Sequence, residues 1–118
     1  MRSRDLSVLR KMVQHAEEIG ETITTYELDF DKFKSNHVMK KAIAMGILQI
    51  GELVGTLTDD FKSKYNKMPW RDIVGMRNRA AHAYGSMDIE FLWNTAIDKV
   101  PELKGYCEGI ITILEQNE

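Results

Sequence analysis

The stretch Arg77-Asn78-Arg79-Ala80-Ala81-His82-Ala83-Tyr84 gathers the side chains that phosphodiester chemistry uses. Cleaving RNA without a metal requires a group that takes the proton from the 2′-hydroxyl. It requires a group that protonates the leaving 5′-oxygen, and a cation that stabilises charge on the phosphorane. Histidine, with a free pKa near 6.5, transfers protons at neutral pH. Arginine stays charged and grips phosphate oxygens in a planar fork. Asn78 can orient a water, a hydroxyl or His82 itself. On a helix, Asn78 and His82 are four residues apart and share a face, about 6 Å along the axis. Arg77 and Tyr84, seven apart, share another. Arg77 and His82 differ by about 140° around the axis. One straight helix does not easily aim both at a single phosphate. Either Arg77 reaches around, or a twofold-related copy completes the site.

The spacing has limited weight in isolation. With six arginines and three histidines in the chain, an Arg-x4-His pair arises readily by chance. Requiring a tyrosine two residues later leaves roughly half a per cent of shuffled sequences. Each residue also has an ordinary structural use: a histidine near a helix C-terminus suits the dipole, and a core-edge tyrosine keeps its hydroxyl wet. The surrounding charge adds to the pattern. Between Lys62 and Arg79 stand six bases, Lys62, Lys64, Lys67, Arg71, Arg77 and Arg79, against one acid, Asp72. From Met87 onward seven acids face two bases. The net charge of −2 gives no global cationic field, yet a local basic strip can hold phosphates. By charge alone, a solvated surface segment is the better reading of such a strip. His15, His37 and His82 lack metal-ligand spacing, so no metal site or cofactor is expected. Cys107, the lone cysteine, is expected as a small buried hydrophobe.

The elements that must carry these residues follow from periodicity. A chain of 118 residues with 43% hydrophobic content suits one domain over residues 1–118. Two prolines and one cysteine exclude a Pro-rich linker, a disulfide scaffold and a Cys-based zinc module. Residues 1–20 carry charges throughout without an apolar signal-peptide core, and no apolar run reaches membrane-spanning length; the expectation is a cytoplasmic protein. Leu6, Leu9, Met12, Ala16, Ile19 and Ile23 predict a helix over about 5–26, N-capped by Asp5. A polar connector anchored by Phe30 and Phe33 follows. Ser35 or Asn36 caps a second helix reaching about residue 57. Its broad apolar stripe includes Ile43, Ile50 and Val54, and Ala44, Leu48, Gly51 and Gly55 form another. Glycine inside a helix costs about 1 kcal/mol relative to alanine, so the two glycines ask for close approach of another helix. After a polar stretch to Met68, Pro69 opens a third helix whose inner stripe holds Trp70, Ile73, Arg77, Ala81 and Tyr84, with Gly85 past its end. Ser86 or Asp88 starts a fourth, Pro101 breaks it, and a fifth carries Leu103, Cys107 and Ile110. The fold class predicted is all-α, an antiparallel bundle of four to five helices.

With these elements in place the sequence resembles the HepT toxins of the HEPN superfamily. Arg77-x4-His82-x-Tyr84, with Asn78 after the arginine, matches their Arg-x4-His-x-Tyr signature. Trp70-Arg71-Asp72-Ile73-Val74-Gly75-Met76 resembles the stretch leading into it, and Ile50-Gly51-Glu52 is similar to the Ile-Gly-Glu of the preceding long helix. Phe33, Trp93 and Pro101-Glu102-Leu103 fall in the corresponding order, so the likeness covers about residues 5–115. It implies an all-α homodimer acting as a metal-independent endoribonuclease, the toxin of a toxin–antitoxin pair. Its implied partner is an MNT-type minimal nucleotidyltransferase that transfers AMP to Tyr84. Arg77, Asn78 and His82 would be catalytic. From the local charge, and not from the likeness, Lys62, Lys64, Lys67, Arg71 and Arg79 are the expected RNA contacts. The alternative is a non-catalytic HEPN subunit that serves such a transferase as a binding partner; the intact Arg-Asn-His-Tyr set favours the enzyme.

Overall fold

The computed structural model describes residues 2–86 and 88–117, with side chains at all of these except 2, 3, 78 and 80–86. Seven α-helices are found among them: α1 (Arg2–Thr25), α2 (Phe30–Ser35), α3 (His37–Val54), α4 (Asp59–Lys64), α5 (Trp70–Ser86), α6 (Ile89–Asn94) and α7 (Val100–Gln116). A π-helical turn, Thr95–Lys99, joins α6 to α7, and no strand occurs among the described residues. The all-α bundle expected from periodicity is the observed architecture. No helix of the described residues is long and apolar enough to cross a membrane.

The long helices α1, α3, α5 and α7 make the bundle. α1 packs on α3 and α7, and α3 packs on α5. Arg10, early in α1, pairs with Glu115, late in α7, so these two run antiparallel. Asp5 near the start of α1 meets Thr58 beyond the end of α3, which makes that pair antiparallel too. The apolar faces meet in one core, with Leu9, Met12 and Ile19 from α1, Ile43, Ile47, Ile50 and Val54 from α3, Ile73 from α5, and Leu103, Cys107 and Ile110 from α7. Removing such side chains from water supplies the main driving force of folding, roughly 1.5–3 kcal/mol for each fully buried large aliphatic group.

Several local expectations are corrected. Asp5 does not cap α1. It is buried within the first turn, where its carboxylate accepts the Thr58 N–H (2.9 Å) and the Thr58 hydroxyl (2.7 Å). Thr58 in turn caps α4, its Oγ1 accepting the Phe61 N–H at 3.2 Å. The polar stretch before Pro69 therefore contains a helix, α4, that the start of α1 holds in place. The connector at Phe30 and Phe33 is the short helix α2, capped by Asp29. Phe33 is fully buried, and its ring centroid lies 5.2 Å from that of Trp93. Of the two caps expected for α3, Ser35 and Asn36, Asn36 is the one observed, its side chain accepting the N–H groups of Val38 and Met39. Gly85 falls within α5 and not past its end.

Pro101 does not break the chain into separate helices. Proline cannot donate a backbone hydrogen bond, which is harmless in the first turn of a helix. Here the Val100 N–H reaches back five residues to the Thr95 carbonyl, closing the π turn, and Pro101 follows in the first turn of α7. The backbone passes from α6 to α7 with a change of register and without a loop.

Candidate active site

The helix that carries the motif is fixed first at its beginning. Trp70 is buried, and its indole N–H donates to the Tyr65 carbonyl at 2.9 Å. The Tyr106 hydroxyl donates to the same carbonyl at 3.2 Å. Around this shared acceptor the ring of Trp70 lies 5.8 Å from Phe61 and 6.0 Å from Tyr106. Aromatic pairs at these distances contribute beyond their buried area, roughly 0.5–1.5 kcal/mol each. The first turn of α5 is thereby tied to both α4 and α7.

At its middle, α5 meets α3 at a glycine. A Cβ built on Gly51 would lie 2.0 Å from Cβ and 2.7 Å from Cγ of Arg77, and 3.3 Å from its Cα. Real side chains cannot approach so closely, so only glycine permits this contact. The glycine stripe of the sequence thus has its packing reason at Gly51. Gly55 does not share it: it is exposed and sits at the C-cap of α3. The helix that approaches the Gly51 side of α3 is the chain's own α5.

The same contact sets the Arg77 guanidinium. Its Nη2 forms an ion pair with Oε1 of Glu52, the residue next to Gly51. The side chains are 40% and 57% exposed, so the pair faces solvent, where a polyanion can reach it. Ile50, buried, fills the core beneath. The family likeness at Ile50-Gly51-Glu52 carries no expectation of a role for Glu52. The signal was present: Glu52 is the sole acid of α3 and follows directly on a glycine in an apolar stripe.

Asn78, His82 and Tyr84 belong to α5, but their side chains lie outside the described residues. The basic strip is spread over α4, the following turn and α5. Lys62 lies 4.0 Å from Asp59, and the Lys64 ammonium stands 5.6 Å from the Tyr65 ring centroid. Lys67 and Arg71 are exposed. Arg79 is engaged within the chain: it pairs with Asp88 at 3.1 Å, and its guanidinium stacks 4.2 Å from the Phe91 ring centroid. Asp88 precedes α6 without capping it by a side-chain hydrogen bond, so its carboxylate serves the α5–α6 connection instead.

A cleft of about 540 Å³ opens between the first half of α5 and the α6–α7 segment. Asp72, Asp88, Glu90, Asp98 and Glu102 line it against Arg79 and Lys99. That balance repels a polyanion. Among the described residues, no three His, Cys, Asp or Glu side chains converge to hold a metal. Cys107 is buried, and burial, helped by the neighbouring Glu108 charge, pushes its thiol up to about 12, so it is no nucleophile near neutrality.

Comparison with known proteins gives the family of the chain. Residues 9–110 match the family described as Ribonuclease HepT-like. A protein of Methanocaldococcus jannaschii, provisionally named an RNase, is 34% identical over 92 residues, covering 78% of this chain and 79% of its own length. A protein of Thermococcus cleftensis named "Probable ribonuclease HepT" is 32% identical over 106 residues, covering 86% of this chain and 96% of its own. A third, from Caldanaerobacter subterraneus subsp. tengcongensis and again provisionally named an RNase, is 31% identical over 84 residues, covering 71% and 75%. No solved structure matches. With the family matched over most of the helical bundle, and with Gly51 and Glu52 meeting the arginine that opens the motif, the chain belongs to the HepT-like ribonucleases of the HEPN superfamily.

Proposed function

We propose that this ribonuclease cleaves RNA without a metal ion, with Arg77 as the cation that grips the scissile phosphate, His82 as the proton-transfer group and Asn78 as the residue that orients it. The observation that carries the reading is the seating of Arg77: a solvent-facing guanidinium whose stem is packed on Gly51 and whose head is paired with Glu52. A cation held in advance stabilises charge that develops in the transition state without reorganising at the moment of reaction. Because Arg77 and His82 lie about 140° apart around α5, a second copy of the motif across a twofold axis completes the site, and the protein acts as a homodimer in the cytoplasm. Lys62, Lys64, Lys67 and Arg71 guide the RNA backbone; Arg79 joins them only by giving up Asp88.

In this reading the protein is the toxin of a toxin–antitoxin pair, and an MNT-type nucleotidyltransferase silences it by transferring AMP to Tyr84. The added phosphate competes for the Arg77 fork, and the nucleoside occupies the space that RNA must enter. Tyr84→Phe removes the acceptor oxygen and keeps the ring, so it remains toxic in the presence of the transferase and ATP.

The test is cleavage of RNA by the purified protein in EDTA. The expected result is undiminished activity with a 2′,3′-cyclic phosphate product, lost in both Arg77→Ala and His82→Ala while the helical circular dichroism persists. Activity that disappears in EDTA and returns with Mg²⁺ would overturn the metal-free mechanism. RNA binding without cleavage under every condition would favour the non-catalytic partner subunit.

A further inference from the structure

We propose that Glu52 is a positioning residue for RNA cleavage: across the α3–α5 contact its carboxylate holds the Arg77 guanidinium in the orientation in which it meets the scissile phosphate. The inference rests on the reading of Arg77 as the cation of the site.

Two features of one contact divide the work. Gly51 fixes the root of the side chain, because the Cβ and Cγ of Arg77 rest where a residue-51 side chain would otherwise stand. The remaining bonds of the arginine still rotate, and an unrestrained guanidinium sweeps a wide arc. Glu52, one residue further along α3, narrows that arc by binding Nη2. A guanidinium is planar and rigid, so holding one nitrogen narrows the orientations open to the whole fork. Stability alone is a weak reason for the pair. Both partners are substantially exposed, and ion pairs in such surroundings contribute about 0–1 kcal/mol. An acid beside a phosphate-binding cation also opposes RNA binding by repulsion, so its presence calls for a compensating gain in geometry.

That opposition makes the proposal testable by the separate behaviour of kcat and KM. Glu52→Gln keeps the shape and removes the charge. If Glu52 positions Arg77, kcat on a defined RNA oligonucleotide falls by up to ~10²-fold, the scale of an ångström-level misplacement. KM meanwhile stays level or falls, because a repelling charge is gone. Glu52→Asp, which keeps the carboxylate on a shorter arm, recovers part of the lost kcat. Both variants should retain the helical circular dichroism of the wild type. Arg77→Ala is measured alongside. If Arg77→Ala is inactive and Glu52→Gln cleaves at the wild-type kcat, the positioning role is overturned and the reading of Arg77 stands. If Arg77→Ala cleaves normally, the reading of the site falls and the role of Glu52 falls with it. A Glu52→Gln variant that raises KM at unchanged kcat assigns Glu52 to binding and also overturns the proposal.

Discussion

Gly51 and Arg77 share one contact point between α3 and α5, with the Arg77 stem in the space that a side chain at position 51 would need. The close approach of the two helices and the placement of the motif arginine are therefore one structural event. The distance from a built Cβ at position 51 to Arg77 Cβ is 2.0 Å, and Arg77 Cα is only 3.3 Å away, so rotating the arginine cannot relieve the clash.

Gly51→Ala should thus force α5 away from α3. Overpacking of this kind costs about 1–3 kcal/mol, which exceeds the gain of about 1 kcal/mol from replacing a helical glycine. The expected result is a lower urea midpoint together with a lower rate of RNA cleavage. An alanine variant as stable and as active as the wild type would show that the helices separate freely.

Asp5 links the start of α1 to the start of α4. Asp5→Ala leaves the Thr58 N–H and hydroxyl without their acceptor in a part-buried site. Loss of such a pair costs on the order of 1–3 kcal/mol, to be read from equilibrium urea denaturation. The effect should be smaller in a Thr58→Ala background, where the hydroxyl is gone and only the backbone N–H at position 58 still donates to Asp5.

The Cys107 thiol ties stability to alkaline pH. Its pKa is raised from 9.0 to about 12 by burial first and by the Glu108 charge second. The folded protein holds this proton more tightly than the unfolded chain, so the contribution is fully present below pH 9 and is lost as pH rises toward 12. Denaturant midpoints should decline across that window, and Cys107→Ala should flatten the decline. At pH 8 the thiol should resist alkylation until the protein is unfolded.

Within the basic strip, Arg71 and Arg79 should separate. Arg71 is exposed, whereas Arg79 is held by Asp88 and stacked on Phe91. A lysine or arginine on phosphate contributes about one unit to the salt slope of RNA affinity. Arg71→Ala should reduce that slope by about 1. Arg79→Ala should reduce it less, because binding RNA costs Arg79 its existing partner, and Asp88→Asn should enlarge the contribution of Arg79. Equal slopes for the two alanine variants would contradict this ordering.

The helical character of the chain, the cap at Asn36 and the motif at positions 77–84 were legible in the sequence because each depends on neighbours within a turn or two. Apolar spacing needs only the period of the helix, and a cap needs only the residues beside it. The division at Pro101 was misread, because a π turn changes the register without leaving a composition signal. Gly51 announced a close contact but not its partner, and spacing alone could not distinguish another helix of the chain from a second copy. The tertiary structure decided that Arg77 fills the place, that Glu52 receives its guanidinium, that Asp5 reaches fifty-three positions along the chain to Thr58, and that Arg79 is held by Asp88. These relations join residues on different helices. They are set by how deeply and at what angle the helices pack, which the side chains of the whole core determine together.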